Sequence, residues 1–518
     1  MVVFHIEKWA FLVGIALALY PGFGDCANIL GFLPFYGKSH NLVTLPYFEE
    51  LADRGHKVTL IGTREPRNVG PNMTFLKLNL KPSGREGKRF DELQSASFFT
   101  TTLLLTHLLN SYDIEIGLTD YDKFLEIKDI DVVVLEYFES ELFLGFVSKF
   151  NVPIILIHTS EAMPWHRDSL AEPLELSYKS HYSAFEDVAN MGTYRSRLLN
   201  TLQTMSILAY HRAVMVPLAQ ATAEKFWGPT PPLVQLAREA SLFLVNTHFS
   251  FIGTRPMNPS TIEIGGINIF PPKELPQDLQ TLMDNAKDGV IFFSMGSVLK
   301  GTSMSDDKRD AFLRVFAELK EIVLWKWEGD LPNKPANLHT SPWFPQRDIF
   351  AHPNLKLFIG HCGLLGVHEA ITEALPIICL PMFGDQPFNA AALKRQGFGL
   401  SLEYASITEE MFRETINRVL KEPSFKENAK RVSAAFKDRP MSAMDTAVYW
   451  TEYVIRHKGA PHLKSPARYM AWWEYHNVDV LATIAAIVLT VLILLYKMTK
   501  SFLTLLFCRR SHIKVKTS

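Results

Sequence analysis

Two consecutive α/β domains facing a cleft, followed by one membrane-spanning helix, are the architecture this sequence predicts, on three observations. Short β-rich runs alternate with longer helical patterns, a Pro-rich stretch breaks that rhythm once, and a long apolar segment stands near the C-terminus. Residues 28–35, 57–61, 131–135 and 153–158 read as strands of a first parallel sheet, with a helix over 41–54. After the Pro-rich residues 255–276 the rhythm restarts with 290–293, 322–327, 356–360 and 376–381. Two Rossmann-like domains follow, at 25–254 and 286–445, joined by a linker at 255–285 and trailed by helices and a juxtamembrane segment at 446–477. In such sheets ligands gather outside the carboxyl ends of the strands, so functional residues are sought in the loops that follow them.

Composition excludes some partners. Lys plus Arg is 53 against 54 for Asp plus Glu, a formal charge of -1, so no field of one sign marks a nucleic-acid partner. Hydrophobic residues make up 47% of the 518, with 36 Phe, which suits a chain that touches lipid or binds apolar ligands. Cys26 and Cys508 lie near the terminal apolar segments, leaving Cys362 and Cys379 in the body. These read as two buried free thiols, able to pair in an oxidising compartment, and their neighbours give no metal-ligand pattern.

The ends carry addresses. Lys8, the apolar run 9–20 and the small residues Gly22 and Gly24 have the order of a secretory signal, cleaved near Asp25 and so covering 1–24; an uncleaved anchor or a buried first helix is the alternative. Residues 478–496 are apolar apart from Asp479 and two Thr, and at about 1.5 Å per residue they nearly span a ~30 Å hydrocarbon core. The tail 497–518 carries Lys497, Lys500, Arg509, Arg510, Lys514 and Lys516 without a carboxylate side chain, which places it in the cytoplasm and the bulk of the chain in the lumen. In that compartment Asn72-Met73-Thr74 is a glycan acceptor sequence. The ending Lys514-Val515-Lys516-Thr517-Ser518 reads either as a dilysine retrieval tail of the endoplasmic reticulum or as a solvated basic tail.

The most informative block runs from Trp343 to Gln386: a loop with a Trp, a buried strand, a tight Gly turn, a helix, another buried strand and a polar loop. That order suits a nucleotide. Gly363 and Gly366 permit close backbone approach, amides at the following helix start face an anion such as pyrophosphate, and His361 adds a donor. The Gly-x-Gly-x-x-Gly spacing of dinucleotide dehydrogenases is not present in this block. The whole block resembles the signature of the UDP-glycosyltransferases, with its W-x-P-Q start, H-x-G turn, G-x-x-E-A helix and final D-Q. The resemblance implies the two-domain glycosyltransferase fold known as GT-B, with a UDP-sugar as donor substrate and no cofactor or metal. It assigns Trp343 to stacking on uracil, Gln346 and Glu369 to ribose hydroxyls, His361 and Ser297 to phosphate, and Asp385 with Gln386 to sugar hydroxyls. Taken singly, Trp343 could be a core aromatic, His361 a turn residue and Glu369 a solvated carboxylate. Two positions depart from the family pattern: Cys362 stands where Gly or Ala is usual, and Leu365 where many vertebrate members have Asn.

Ser39 is suited to cap the helix after the first strand, and His40 then lies at its N-terminus. The positive end of the helix dipole favours a neutral ring able to accept a proton. By the resemblance His40 is the catalytic base, and Glu136, after the strand 131–135, is the carboxylate that orients it, with Glu139 as alternative. Asp129-Ile130-Asp131 spells D-x-D but lies at the amino end of its strand, away from the ligand edge, so it is not read as a metal site.

Where glucuronate-using vertebrate members have Arg, this chain has Asn246, which cannot pair with a glucuronate carboxylate. UDP-glucose is therefore expected to serve at least as well as UDP-glucuronate. Phe98, Phe99, Leu103, Leu104, Leu105 and Leu108 line an acceptor pocket, face lipid or form ordinary core. The reading is an inverting hexosyltransferase acting on small lipophilic hydroxyls, as in xenobiotic conjugation, anchored in the endoplasmic reticulum membrane. A catalytically weak ligand binder or a regulatory homo- or hetero-dimer partner is the rival, motivated by Cys362 and Leu365.

Overall fold

The computed structural model describes residues 26–35, 37–78, 121–138, 141–180, 191–297 and 299–514. The segment 1–24, Glu139, the apolar positions from Phe98 to Leu108 and the end of the basic tail at 515–518 lie outside them.

The first sheet contains β1 (Asn28–Leu33), β2 (Lys57–Gly62), β3 (Met73–Lys77), β4 (Val132–Glu136), β5 (Ile154–His158), β6 (Leu242–Val245) and β7 (Thr261–Glu263), in the order β3-β2-β1-β4-β5-β6-β7. The second contains β8 (Val290–Ser294), β9 (Ile322–Lys326), β10 (Leu338–Ser341), β11 (Leu355–Gly360), β12 (Ile377–Cys379) and β13 (Gly399–Ser401), in the order β10-β9-β8-β11-β12-β13. Strand pairs in both are parallel. Each sheet thus has the doubly wound order of a Rossmann fold.

The strands read as near-continuous apolar runs because both faces are covered. In β4 the side chains of Val132 and Val134 join one core, while Val133 and Leu135 join the other. β5 and β6 alternate in register with it: Ile155, Ile157, Leu242 and Leu244 face the first core, and Leu156, Phe243 and Val245 the second. The second domain repeats the scheme, with Val290 and Phe292 on one side of β8 and Ile291 and Phe293 on the other. Between Ile262 of β7 and the helix at Gln277–Asp284, the Pro-rich segment crosses from one sheet to the next, so the first sheet extends into the stretch read as linker.

Helix α1 (Lys38–Asp53) starts earlier than the expected residue 41, with Gly37 at its cap position and no side-chain cap bond. Ser39 lies inside the first turn and does not cap it. The Asn41 amide instead donates to Gly37 O at 3.0 Å, which fastens the helix start from within. In the second domain, α2 (Leu364–Thr372) follows β11, α3 (Gln386–Gln396) follows β12, and α4 (Pro423–Lys437) packs Val432 and Phe436 into the core.

The chain then returns to the first domain. Helix α5 (Ala443–Arg456) places Ala443, Ala447, Val448 and Val454 in the first domain's core, beside Tyr47 and Phe48 of α1. Its Thr451 hydroxyl meets Tyr47 Oη at 2.6 Å, with both residues fully buried.

Residues Ser465–Ser518 form a separate unit. Its helix α6 (Val478–Lys514) holds a 30-residue candidate span, Val478–Phe507, whose most apolar 18-residue window has a mean hydropathy of 2.8. At about 1.5 Å per residue the span is ~45 Å, longer than a ~30 Å hydrocarbon core and therefore suited to a tilted crossing. The helix runs past the expected end at 496 because Phe502, Leu503, Leu505, Leu506 and Phe507 resume the apolar pattern with no Pro or Gly to stop it. Trp472 and Trp473 precede it, in the position of an interfacial aromatic belt.

Tyr47→Phe removes one buried hydrogen bond between α1 and the returning α5. The expected cost is about 1 kcal/mol, read as a lower thermal midpoint of the solubilised chain. An unchanged midpoint would show that apolar contacts alone hold α5 in place.

Candidate active site

The strand order of the first sheet reverses at β1, between β2 and β4, and the chain ends that leave β1 and β4 there carry His40 and Glu136. His40 Nδ1 lies 2.7 Å from Glu136 Oε1, with the side chains 12% and 1% exposed. Thr159, just beyond β5, puts its hydroxyl 2.9 Å from the same ring nitrogen. The rings of Phe35 and Phe138 flank the imidazole, with centroids 4.2 Å and 4.4 Å away. With the carboxylate as acceptor, Nδ1 carries the proton and Nε2 keeps the lone pair.

A buried polar layer lies behind this pair. Tyr137 Oη donates to Glu141 Oε1 at 3.0 Å, and His211 Nε2 meets the same oxygen at 2.8 Å. Burial holds the His158 pKa down to about 3 and pushes that of His166 well below the ordinary imidazole value. Neither ring takes up a proton near neutral pH.

The second sheet reverses its order between β8 and β11, and their following turns form the other half of the site. His361, after β11, is clasped between two glycines. A Cβ at Gly296, where φ is +82°, would stand 2.5 Å from His361 Cε1, and one at Gly363 would stand 2.4 Å from its Nε2. Burial lowers the His361 pKa to about 4, against a backbone hydrogen bond at Ser294 that raises it, so at neutral pH the ring carries no full charge. Ser297 is exposed on the turn after β8. Gly363 occupies the cap position of α2, whose second turn carries Glu369. Gly366 also lies on α2, where a Cβ would come 3.4 Å from Gln346 Nε2.

Gln346 Nε2 donates to Glu369 Oε2 at 2.6 Å, so the two residues assigned to ribose are brought together, and burial raises the Glu369 pKa. Trp343 is 57% exposed, and Lys38 Nζ from α1 sits 3.8 Å from its ring centroid. Asp385 and Gln386 stand at the start of α3, where burial raises the Asp385 pKa and the Asn389 hydrogen bond opposes it, with His40 a smaller lowering influence that puts His40 and Asp385 within each other's field. Gln386 Oε1 accepts from the amides of Met382 at 2.8 Å and Phe383 at 3.2 Å, so its carbonyl shapes its own loop. Asn389 Nδ2 bridges Cys362 O at 3.0 Å and Asp385 Oδ2 at 2.9 Å, tying the two loops together.

Cys362 and Cys379 are joined in a disulfide rather than standing as free thiols. The reason is register: Gly360 pairs with Cys379, and the turn at Cys362, with φ +61°, brings the two Cα atoms to 5.3 Å. Leu365 packs against the first domain's core, an apolar role for the second departing position. Asn246 is buried, with Nδ2 donating to Thr159 O at 3.0 Å and Oδ1 accepting from Gly266 N at 3.2 Å. Asp131 Oδ2 accepts from Asn28 N at 2.7 Å, at the amino edge of the sheet. Asn72 is exposed, and its Nδ2 donates to Ala52 O at 3.1 Å.

Sequence reasoning missed Thr159, Phe35, Phe138, Asn389 and Lys38. Thr159 directly follows a strand and was within reach of the ligand-edge rule, and Asn389 lies one helical turn beyond Asp385. The aromatic flanks and Lys38 needed the fold, since the loops that carry Phe35 and Phe138 and the start of α1 bear no spacing signature.

Residues 151–514 match the family model described as UDP-glucoronosyl and UDP-glucosyl transferase. The chain is 38% identical over 482 residues to UDP-glycosyltransferase UGT5 of Dactylopius coccus, covering 90% of this chain and 91% of the relative. It is 35% identical to UDP-glucosyltransferase 2 of the same insect, over 88% of this chain and 89% of the relative. It is 26% identical to human UDP-glucuronosyltransferase 2B10, over 95% and 96%. Among solved structures, the spinosyn forosaminyltransferase SpnP shares the fold with a TM-score of 0.57 at 17% identity, covering 83% of this chain and 100% of that one. The glycotransferase of kitacinnamycin does so at 0.54 and 16%, covering 84% and 99%. Two parallel Rossmann-like sheets of the GT-B type, the matching family model and relatives along nearly the whole chain identify this protein as a member of the UDP-glucuronosyl and UDP-glucosyl transferase family, a glycosyltransferase enzyme.

Proposed function

We propose that the chain transfers a hexosyl group, with inversion, from a UDP-sugar to the hydroxyl of a small lipophilic acceptor, as in conjugation of foreign compounds. The observation that carries this reading is the 2.7 Å bond between His40 and Glu136 at the ligand edge of the first sheet, with Asp385 of the second domain in the field of His40. His40 Nε2 takes the proton of the acceptor hydroxyl as that oxygen bonds to the anomeric carbon. The bond from that carbon to the UDP oxygen breaks on the opposite side, and UDP leaves with the electron pair. Glu136 stabilises the imidazolium that forms. The amides at the start of α2, the Ser297 hydroxyl and His361 meet the charge that develops on UDP. Trp343 stacks on uracil, Gln346 and Glu369 hold the ribose, and Asp385 with Gln386 hold the sugar.

The sugar is glucose at least as readily as glucuronate. Asn246 is neutral and closed on backbone partners, so it offers no cation to a sugar carboxylate. The 35% identical insect relative bears a glucosyltransferase name, which supports the same choice. Helix α6 anchors the chain in the endoplasmic reticulum membrane with residues 25–464 in the lumen, where Asn72 accepts a glycan and the Cys362–Cys379 pair forms in an oxidising medium. The 1–24 segment is the cleaved signal.

His40→Ala is expected to lower UDP release by about a thousandfold or more in microsomes given UDP-glucose and a panel of phenols, with UDP binding retained. Glu136→Gln is expected to lower kcat by about 10²- to 10⁴-fold with little change in donor KM, because the ring loses its orienting carboxylate. Full activity in either variant would remove the base assignment. A wild-type chain that binds UDP but turns over no donor and acceptor pair would favour the regulatory-partner reading. Competition between UDP-glucose and UDP-glucuronate tests the sugar: kcat/KM for glucose should equal or exceed that for glucuronate, and a strong preference for glucuronate would exclude the role given to Asn246.

A further inference from the structure

Lys38 opens α1, in the same helical turn as His40, yet the mechanism above leaves it without a part. Its ammonium lies 3.8 Å from the centroid of the Trp343 ring, across the cleft in the second domain. His40 and Asp385 lie in one another's field. The first turn of α1 therefore meets the second domain at Trp343, through Lys38, and His40 acts electrostatically on Asp385. Lys326, at the carboxyl end of β9, acts electrostatically on both Lys38 and His361, so the ammonium and the His361 turn share a cationic neighbour.

The surroundings of Lys38 are cationic. Burial lowers its pKa first, and Arg64, Lys326 and Arg67 lower it further. Lys326 has its own carboxylate, Glu328, at 2.5 Å. Among the described residues no carboxylate pairs with Lys38, whose contact is the π face of Trp343. A gathering of positive charge at the mouth of an anion-binding turn attracts a polyanion, and a lysine on a four-carbon stem is a point charge able to follow one.

We propose that Lys38 is the first domain's contact to the diphosphate of the nucleotide donor, an ammonium that reaches from beside the Trp343 ring to a phosphate oxygen of the nucleotide bound there. This assignment rests on the donor reading given above. It makes the helix turn that bears the base also the turn that grips the leaving group, so the nucleotide itself draws His40 toward the sugar. The alternative is a plain cation–π latch between domains, which would hold Trp343 in place and ignore phosphate.

Direct binding of UDP and of uridine to the full chain in detergent separates the two. Lys38→Met keeps the stem and removes the charge. It is expected to weaken UDP by about tenfold while leaving uridine within about twofold, and Lys38→Arg is expected to restore UDP binding. Unchanged uridine binding also shows that the variant is folded. Equal weakening of UDP and uridine would establish the latch and overturn the proposal, as would tighter or unchanged UDP binding. If the unsubstituted chain binds no UDP, the donor reading itself falls and this assignment with it, whereas normal UDP binding with an indifferent Lys38→Met removes this assignment alone.

Discussion

The hydrogen bond between His40 Nδ1 and Glu136 Oε1 exists only because β1 and β4, far apart in sequence, are parallel neighbours in one sheet. Parallel pairing puts the carboxyl ends of both strands on the same edge, and the register from Ile29 opposite Val132 to Phe32 opposite Leu135 brings Glu136 level with the loop leading into α1. A one-residue slip would exchange the two faces of β4 and carry the Glu136 carboxylate away from the imidazole. The apolar cores that fix this register, with Val132 and Val134 on one side and Val133 and Leu135 on the other, thereby fix the chemistry.

The second domain meets a different constraint, because it must pack a ring, two glycine turns and a helix start against one another. The His361 ring fills the volume that side chains at Gly296 and Gly363 would need, so the turns after β8 and β11 are specified jointly. The disulfide beneath them and the Asn389 bridge between Cys362 O and Asp385 act on the same turn from the core side. Cys362 thus takes a place where the family usually has a small residue by burying its side chain in a covalent link between adjacent strand ends. Burial keeps His361, His158 and His166 neutral, so these rings contribute dipoles rather than full charges to the site.

Much of this was legible before the fold. The long buried strands, β1, β4, β5, β8 and β11, are continuous apolar runs, and their predicted limits lie within about two residues of those observed. β3, β6, β7, β10 and β13 were not read, because several are short and edge strands carry polar positions, so no periodicity separates them from loop. The start of α1 was misplaced for a physical reason: Ser39 has the chemistry of a cap, but the Asn41 amide holds Gly37 O and draws the helix back to Lys38. The block from Trp343 to Gln386 was legible as a motif. The bonds between site residues were not: Gln346 to Glu369, Asn389 to Asp385 and Thr159 to His40 each depend on strand order. Cysteine pairing likewise depends on the adjacency of β11 and β12, which spacing along the chain does not reveal.

The two halves of the site belong to different sheets, so some element must keep them facing, and the returning α5 supplies it. Its apolar side is embedded in the first domain beside α1, while the chain reaches it through α4, which is packed in the second. α5 thus meets α1, the helix that carries both Lys38 and His40, through the fully buried Tyr47–Thr451 bond. Leu365 of α2, packed against the same first-domain core, adds an apolar contact from the donor side. A polar residue at 365 would weaken that contact. The geometry across the cleft therefore rests on apolar burial away from the rim, where Ser297 and Trp343 are exposed and Lys38 meets the Trp343 ring.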